Sequence, residues 1–176
     1  MDKQRGSKLS LFLMELIVAI LFFSLSAAVC VRLFTTAHLI AERTENLSSA
    51  VMWSQNLTES FMAMGGDLDE ISHLYPDAYV TEDTLILFFN RDWEMVDEAL
   101  SQSSYEALLK VKRDTAENVY SDVKDYNVPL VGDALVGDIT VLDIRTRSEV
   151  LTEVPADDSL ILLSGSVDTY IGRRDG

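Results

Sequence analysis

The sequence predicts an α+β fold in which a long N-terminal helix, transmembrane in its first half and amphipathic in its second, lies on a small antiparallel sheet. Three observations predict it. Neither glycine nor proline occurs between Arg32 and Gly65, and apolar residues there recur at three- and four-residue intervals. From Asp67 onward the pattern changes to alternation with a period of two. The alternating segments follow one another without long helices between them, which favours an antiparallel meander over a parallel sheet.

The first element is defined by polarity. Lys3, Arg5 and Lys8 precede an apolar run over 11–31 that ends at Arg32 and is interrupted by one charge, Glu15. Its 21 residues span about 30 Å as a helix, the thickness of a bilayer's hydrocarbon core. Residues 1–32 carry four basic side chains against two acidic, a net of +2, whereas the remaining 144 carry 10 against 27, a net of −17. Basic residues before the span and an acidic chain after it place the N-terminus in the cytoplasm and the rest outside. A cleaved secretory signal fits less well, because the run exceeds the usual apolar region and has no small-x-small site before Arg32. A lipoprotein signal at Cys30 is opposed by Val29 immediately before it. As the chain's single cysteine, Cys30 reads as a soft apolar residue of the helix. Ser24 and Ala28 form a small-xxx-small pair at which another helix can approach closely.

Glu15 stands out because an ionised side chain in a spanning helix costs a few kcal/mol and persists with a partner or a task; near the cytoplasmic edge it also has the option of reaching the interface. The stretch Leu11-Phe12-Leu13-Met14-Glu15-Leu16-Ile17-Val18-Ala19-Ile20-Leu21 resembles the N-terminal segment of type IV pilins and type II secretion pseudopilins, where a basic leader precedes an apolar helix with glutamate at its fifth position. The resemblance covers at most the first third of the chain. It implies a cut by prepilin peptidase between Ser10 and Leu11, methylation of the new Leu11 amine, and pairing of Glu15 with the Leu11 amine of a neighbouring subunit. The family usually has glycine before the cut, and this chain has Ser10.

Beyond the membrane the helix is expected to continue over 32–64, with an apolar stripe of Leu39, Leu47, Ala50, Val51, Ser54, Leu57 and Phe61. Gly65-Gly66 ends it. A short helix over 67–75 stopped by Pro76 is expected next, then a hairpin pairing 78–80 with 84–89 around Glu82-Asp83. Residues 105–113 alternate, with Tyr105, Ala107, Leu109 and Val111 on one face and Glu106, Lys110 and Lys112 on the other. Segments 139–147 and 160–170 are the later strands, the last with a break at Gly165. The division expected is a basic cytoplasmic leader over 1–10, a transmembrane helix over 11–31, its extracytoplasmic continuation over 32–64, and an acidic α+β domain over 67–176.

Catalytic motifs are missing: there is no nucleophile elbow, P-loop, dinucleotide fingerprint or zinc spacing. No enzyme activity, cofactor or metal site is expected. His38 and His73 stand apart. Asp67, Asp69 and Glu70, and also Asp157 and Asp158, form acidic groups that lack an EF-hand pattern and read as solvated turns. Asn46-Leu47-Ser48 and Asn56-Leu57-Thr58 fit the glycosylation tripeptide but lie on the predicted helix. Trp53 and Trp93 read as core or interface aromatics, since no basic residues are interleaved with them. The acidic balance excludes a phosphate-binding face, so no direct nucleic-acid partner is expected. The partners expected are the lipid bilayer, other pilin or pseudopilin subunits, and the prepilin peptidase. The reading is a structural subunit, a minor one, of a pilus or secretion pseudopilus in the cytoplasmic membrane. The alternative is an uncleaved, single-pass anchored binding protein.

Overall fold

A computed structural model describes residues 3–97, 103–122, 130–146, 151 and 153–172, with the side chains of 3–9 outside that description. The side chains of Lys3, Arg5 and Lys8, and Arg147 at the end of a predicted strand, therefore fall outside it.

The first helix, α1, runs unbroken over Lys3–Ala63, as an interior free of glycine and proline from 7 to 64 allows. It closes with a Schellman-type bond from Gly66 N–H to the Phe61 carbonyl at 2.9 Å, and Gly65 supplies the left-handed residue at φ +59°. By contact density the chain divides into two units, 1–45 and 46–176. The described residues of the first unit are all helical. The second begins inside the same helix, at Asn46, and contains the sheet.

After α1, helix α2 covers Leu68–Ser72, where the carboxylate of Asp67 caps the start by accepting from Asp69 N–H at 3.0 Å and Glu70 N–H at 3.3 Å. Five strands follow: β1 Tyr79–Val80, β2 Thr84–Phe89, β3 Tyr105–Thr115, β4 Asp133–Asp143 and β5 Ile161–Gly172. They form one sheet in the order β1-β2-β3-β4-β5, every neighbour antiparallel, so the predicted meander is the topology observed. Thr81 and Thr84 close the β1–β2 turn through Thr81 N–H to the Thr84 carbonyl at 2.8 Å and Thr84 N–H to Thr81 Oγ1 at 3.2 Å. A four-residue helix, α3, at Ala116–Val119 and a 3₁₀ turn at Asp158–Leu160 were not expected from the sequence; both are capped by local side chains, Thr115 and Asp157.

The face of α1 that meets the sheet differs from the predicted stripe. Ala50, Leu57 and Phe61 are fully buried as expected. Leu39, Leu47 and Val51 are exposed, and the buried face instead takes in Asn46 and Ser60, with Trp53 and Met64 packed partly beneath it. These positions advance by three or four residues per turn, so the periodicity and the centre of the face at Ala50, Leu57 and Phe61 were right, while its edge was shifted because two polar residues sit where an apolar pattern was sought. Leu85, Leu87, Phe89, Tyr105, Ala107, Leu109, Ile139 and Val141 form the sheet's side of this core. Burying Leu57 and Phe61 contributes about 2–3 kcal/mol each in transfer free energy.

Three strand predictions need correction. β4 starts at Asp133, six residues before the predicted start, its Asp133 pairing with Thr115 of β3. β5 passes through Gly165 without a break and pairs there with Ile139. The polar face assigned to Glu106 is itself covered: Ile86, Phe88, Leu108, Leu142 and Ile144 form a second buried cluster with Val96, Leu151 and Ile161 against it. Only the far end of that face, from Lys110 onward, reaches solvent, which is why β3 is fully buried at its start and exposed at its end.

Candidate functional site

Two regions bear on function, one in each unit. In the first, every residue from 10 to 45 is exposed. Leu11, Phe12, Met14, Ile17, Phe22, Phe23 and Leu25 each leave more than half of their surface uncovered. The helix is long and apolar enough to cross a membrane. Hydroxyls that follow the apolar run are tied to their own backbone: Thr36 Oγ1 donates to the Arg32 carbonyl at 2.9 Å, Thr35 Oγ1 to the same carbonyl at 3.0 Å, and Thr44 Oγ1 to that of Ile40 at 2.8 Å. Such bonds keep polar groups satisfied along an exposed stretch of helix.

The sequence-predicted residues take definite places on this helix. Ser10 and Leu11 lie within its unbroken span, and Leu11 stands one turn before Glu15 on the same face. Ser24 and Ala28 share another face, also one turn apart. Ser24 comes nine positions after Glu15, and at about 100° per residue that rotation is roughly half a circle, so the carboxylate and the small-residue pair point in opposite directions. They therefore cannot meet the same neighbouring helix from the same side. Cys30 is exposed and unpaired.

In the second unit the informative residue is Asn46, which the sequence had placed in a glycosylation tripeptide and among the polar residues away from the apolar stripe, and which the structure instead buries. It is 7% exposed. Its Oδ1 accepts from Trp93 Nε1–H at 3.3 Å and from Tyr105 O–H at 3.0 Å. Around it runs an aromatic series. Trp93 stacks on Tyr105 with centroids 4.1 Å apart and planes 9° apart, Phe89 lies 5.7 Å from Trp93, Trp53 lies 4.6 Å from Phe89, and Tyr75 lies 6.5 Å from Trp53. The Arg145 guanidinium sits 5.5 Å over the Tyr105 ring while also engaging Asp143, with Nη2 2.7 Å from its Oδ2. Trp93 adopts φ +61°, a conformation that costs a bulky residue about 1–3 kcal/mol. Asn90 holds it there by accepting at Oδ1 from Asp92 N–H at 2.9 Å and Glu94 N–H at 3.0 Å. A buried asparagine and a strained tryptophan thus lock the C-terminal part of α1 to the sheet, and neither leaves a periodic signal in the sequence. Trp53 Nε1 is buried and has no hydrogen-bond partner among the described residues.

The other candidates resolve into local structure. Gly66, Asp67, Asp69, Thr81, Glu82, Asp83 and Val111 border a shallow cleft of about 270 Å³. Its carboxylates are already engaged in part: Asp67 caps α2, and Asp83 accepts from Thr84 Oγ1 at 2.9 Å and pairs with Lys110 Nζ at 3.2 Å. The Thr84 hydroxyl, more than the lysine, holds the Asp83 carboxyl below the usual carboxylate range. Asp157 accepts from Ser159 N–H and Oγ–H and so caps the 3₁₀ turn. His38 and His73 are exposed. Among the described residues no three histidine, cysteine or carboxylate side chains are grouped to hold a metal ion. Asn56 is helical, and its carbonyl accepts from Ser60 Oγ at 2.8 Å. Tyr120 is pushed up to about 12, chiefly by burial and then by the hydrogen bond to Asp168.

Comparison with known proteins returns no match, whether to protein families, to curated sequences or to solved structures.

Proposed function

We propose that this chain is a pilin-like structural subunit, a minor component of a type IV pilus or a type II secretion-like pseudopilus. The observation that carries the reading is the helix over 10–45: its apolar surface is exposed throughout, and the span over 11–31 contains one carboxylate, Glu15. That surface needs lipid before assembly and other helices after it. In this reading the leader over 1–10 faces the cytoplasm, the prepilin peptidase cuts between Ser10 and Leu11, and the Leu11 amine is methylated. Glu15 then meets the Leu11 amine of the next subunit, which repays part of the desolvation of both charges and sets the axial step. With Ser24 and Ala28 on the opposite side, each helix contacts two different neighbours. A lateral stack of helices requires that arrangement. The acidic domain stays outside the cytoplasmic membrane and determines what the assembly meets.

Replacing Glu15 with Val tests the register role. Membrane insertion should remain and cross-linked oligomers should fall at least tenfold; oligomers at the wild-type level exclude the pairing. A second reading rests on Ser10 standing where the family has glycine. In it the leader is retained and the chain is a single-pass anchored binding protein. Mass spectrometry of the native N-terminus separates the two, since a methylated Leu11 start belongs to the first and an intact leader to the second.

A further inference from the structure

The two edges of the sheet differ. β1, at one edge, is two residues long, whereas β5, at the other, runs over twelve and has β4 as its one neighbour among the described strands. Register shifts interrupt the pairing near both ends of β5, and between them 163–170 runs in unbroken register with 134–141. An edge strand turns the N–H and C=O groups of alternate residues outward, and proteins blunt such edges with short strands, lysine, proline or bulges. Along 163–170 β5 has none of these, and its one charge is Asp168. Ser164, Gly165, Ser166, Asp168, Tyr170 and Ile171 are exposed.

The faces of this edge are unlike. Leu163 and Val167 pack half-buried against the core, and Gly165 stands between them on the same face. A Cβ at Gly165 would meet no atom within 4 Å, so the glycine leaves a gap that no described side chain fills. A strand laid alongside stabilises such a position by placing a large apolar side chain, best an aromatic one, across it. The opposite face carries Ser164, Ser166 and Asp168, and Asp157 and Asp158 stand exposed just before the strand. Residues 33–176 hold 27 acidic side chains against 10 basic, a balance that includes Arg173 and Arg174. A second copy at this edge would set two such acidic domains side by side, like charge against like, whereas a cationic segment is drawn to it.

We propose that the β5 edge docks an extended, cationic segment of another protein, which adds antiparallel to β5 with a large apolar side chain across Gly165 and a basic one opposite Asp168. Main-chain hydrogen bonds supply the affinity, and the two faces supply the selection. Alternation makes the two demands compatible. Residues opposite 163, 165 and 167 fall on the apolar face and those opposite 164, 166 and 168 on the polar one, so the recognised pattern is apolar and basic residues in turn. The inference rests on β5 alone and on neither reading of the membrane helix.

The test uses the full chain in neutral detergent micelles and a heptapeptide in which Lys alternates with Val, Phe and Val, the Phe at its centre. Titration should give saturable binding and slowed hydrogen exchange at amides within 163–170, and the same peptide with Glu for Lys should bind at least about tenfold more weakly. Methylating one alternate set of the peptide's amides removes its pairing hydrogen bonds and should abolish binding, while methylating the other set, turned away from β5, should spare it. Asp168→Lys should weaken the Lys peptide about fivefold and strengthen the Glu peptide. Equal affinity of the two methylated peptides, or binding that leaves exchange along β5 unchanged, means attraction to the acidic surface alone and overturns docking at the edge. Protection of β5 that rises with protein concentration in the absence of peptide assigns the edge to a second copy and overturns it too. Should Asp168→Lys not fold, the methylated pair on the wild-type chain decides.

Discussion

Replacing Asn46 with Leu keeps the branched shape of the side chain while removing the acceptor shared by Trp93 Nε1–H and Tyr105 O–H. Both donors lie on buried residues, and each loses this hydrogen bond in the variant. A stranded buried donor costs about 1–3 kcal/mol. Partial relief by rotation of the Tyr105 hydroxyl lowers the sum, and we expect about 3 kcal/mol of destabilisation in all. Urea unfolding of the full chain in micelles, followed by Trp53 and Trp93 fluorescence, reads this as a midpoint shift of about 1–2 M. Tyr105→Phe removes one of the two donors and should cost about 1 kcal/mol. In the double variant part of the Asn46→Leu penalty disappears, because one stranded donor is gone, leaving a coupling of about 1 kcal/mol. An Asn46→Leu cost below about 1 kcal/mol, or strict additivity with Tyr105→Phe, would refute the view that Asn46 fastens the helix to the sheet.

The Glu106 carboxyl binds its proton more tightly in the fold than in the unfolded chain, so its contribution to stability should be greatest below pH 4.5, fall as pH rises and level off above about 7, a loss of roughly 3 kcal/mol; Glu106→Gln should remove that slope from unfolding curves measured between pH 5 and 8. Gly66→Ala should cost about 2–4 kcal/mol, since φ is +80° and the new Cβ would stand 2.9 Å from both Leu135 Cδ1 and Phe61 Cε2, while Gly65→Ala, at φ +59° with open space around it, should cost about 1. Thermal unfolding of the two variants checks the contrast, and equal losses would mean that crowding at Phe61 is unimportant. Trp53→Phe removes the unpartnered Nε1–H at the expense of some packed volume, and the two effects should cancel to within about 1 kcal/mol by the same urea assay.

Much of the architecture was readable in the sequence because it rests on periodicity. The α+β class, the long helix ending at Gly65-Gly66, the meander and the β1–β2 hairpin follow from where apolar residues recur and where the chain can turn. Failures cluster where a polar residue takes an apolar role. Asn46 and Ser60 occupy the buried side of α1, so a search for apolar residues moved the stripe onto Leu47 and Val51. Glu106 reads as an outward charge in an alternating strand, yet that face is covered by residues distant in sequence, Ile144 and Leu151, and alternation within one strand does not say whether its polar face will be covered. Trp93 needs φ +61°, a requirement that no residue type declares. Gly137 and Ala134 lie in the part of β4 that was missed; a glycine and small side chains weaken the alternation there, although pairing with β3 continues. On the exposed apolar part of α1 the positions of Leu11, Glu15, Ser24 and Ala28 follow from sequence spacing, since that stretch obeys helix geometry alone.

The meander has a consequence for the order in which the chain is made. Each strand pairs with the strand next in sequence, so the sheet can grow one hairpin at a time as residues leave the ribosome. The helix cannot be secured on that schedule: Asn46 is synthesised 47 residues before Trp93 and 59 before Tyr105. Ala50, Leu57 and Phe61 must therefore wait, uncovered, until β3 exists. The hydrogen bonds at Asn46 are the last-arriving kind of contact, and an asparagine there gives the waiting helix a water-compatible residue in the interval.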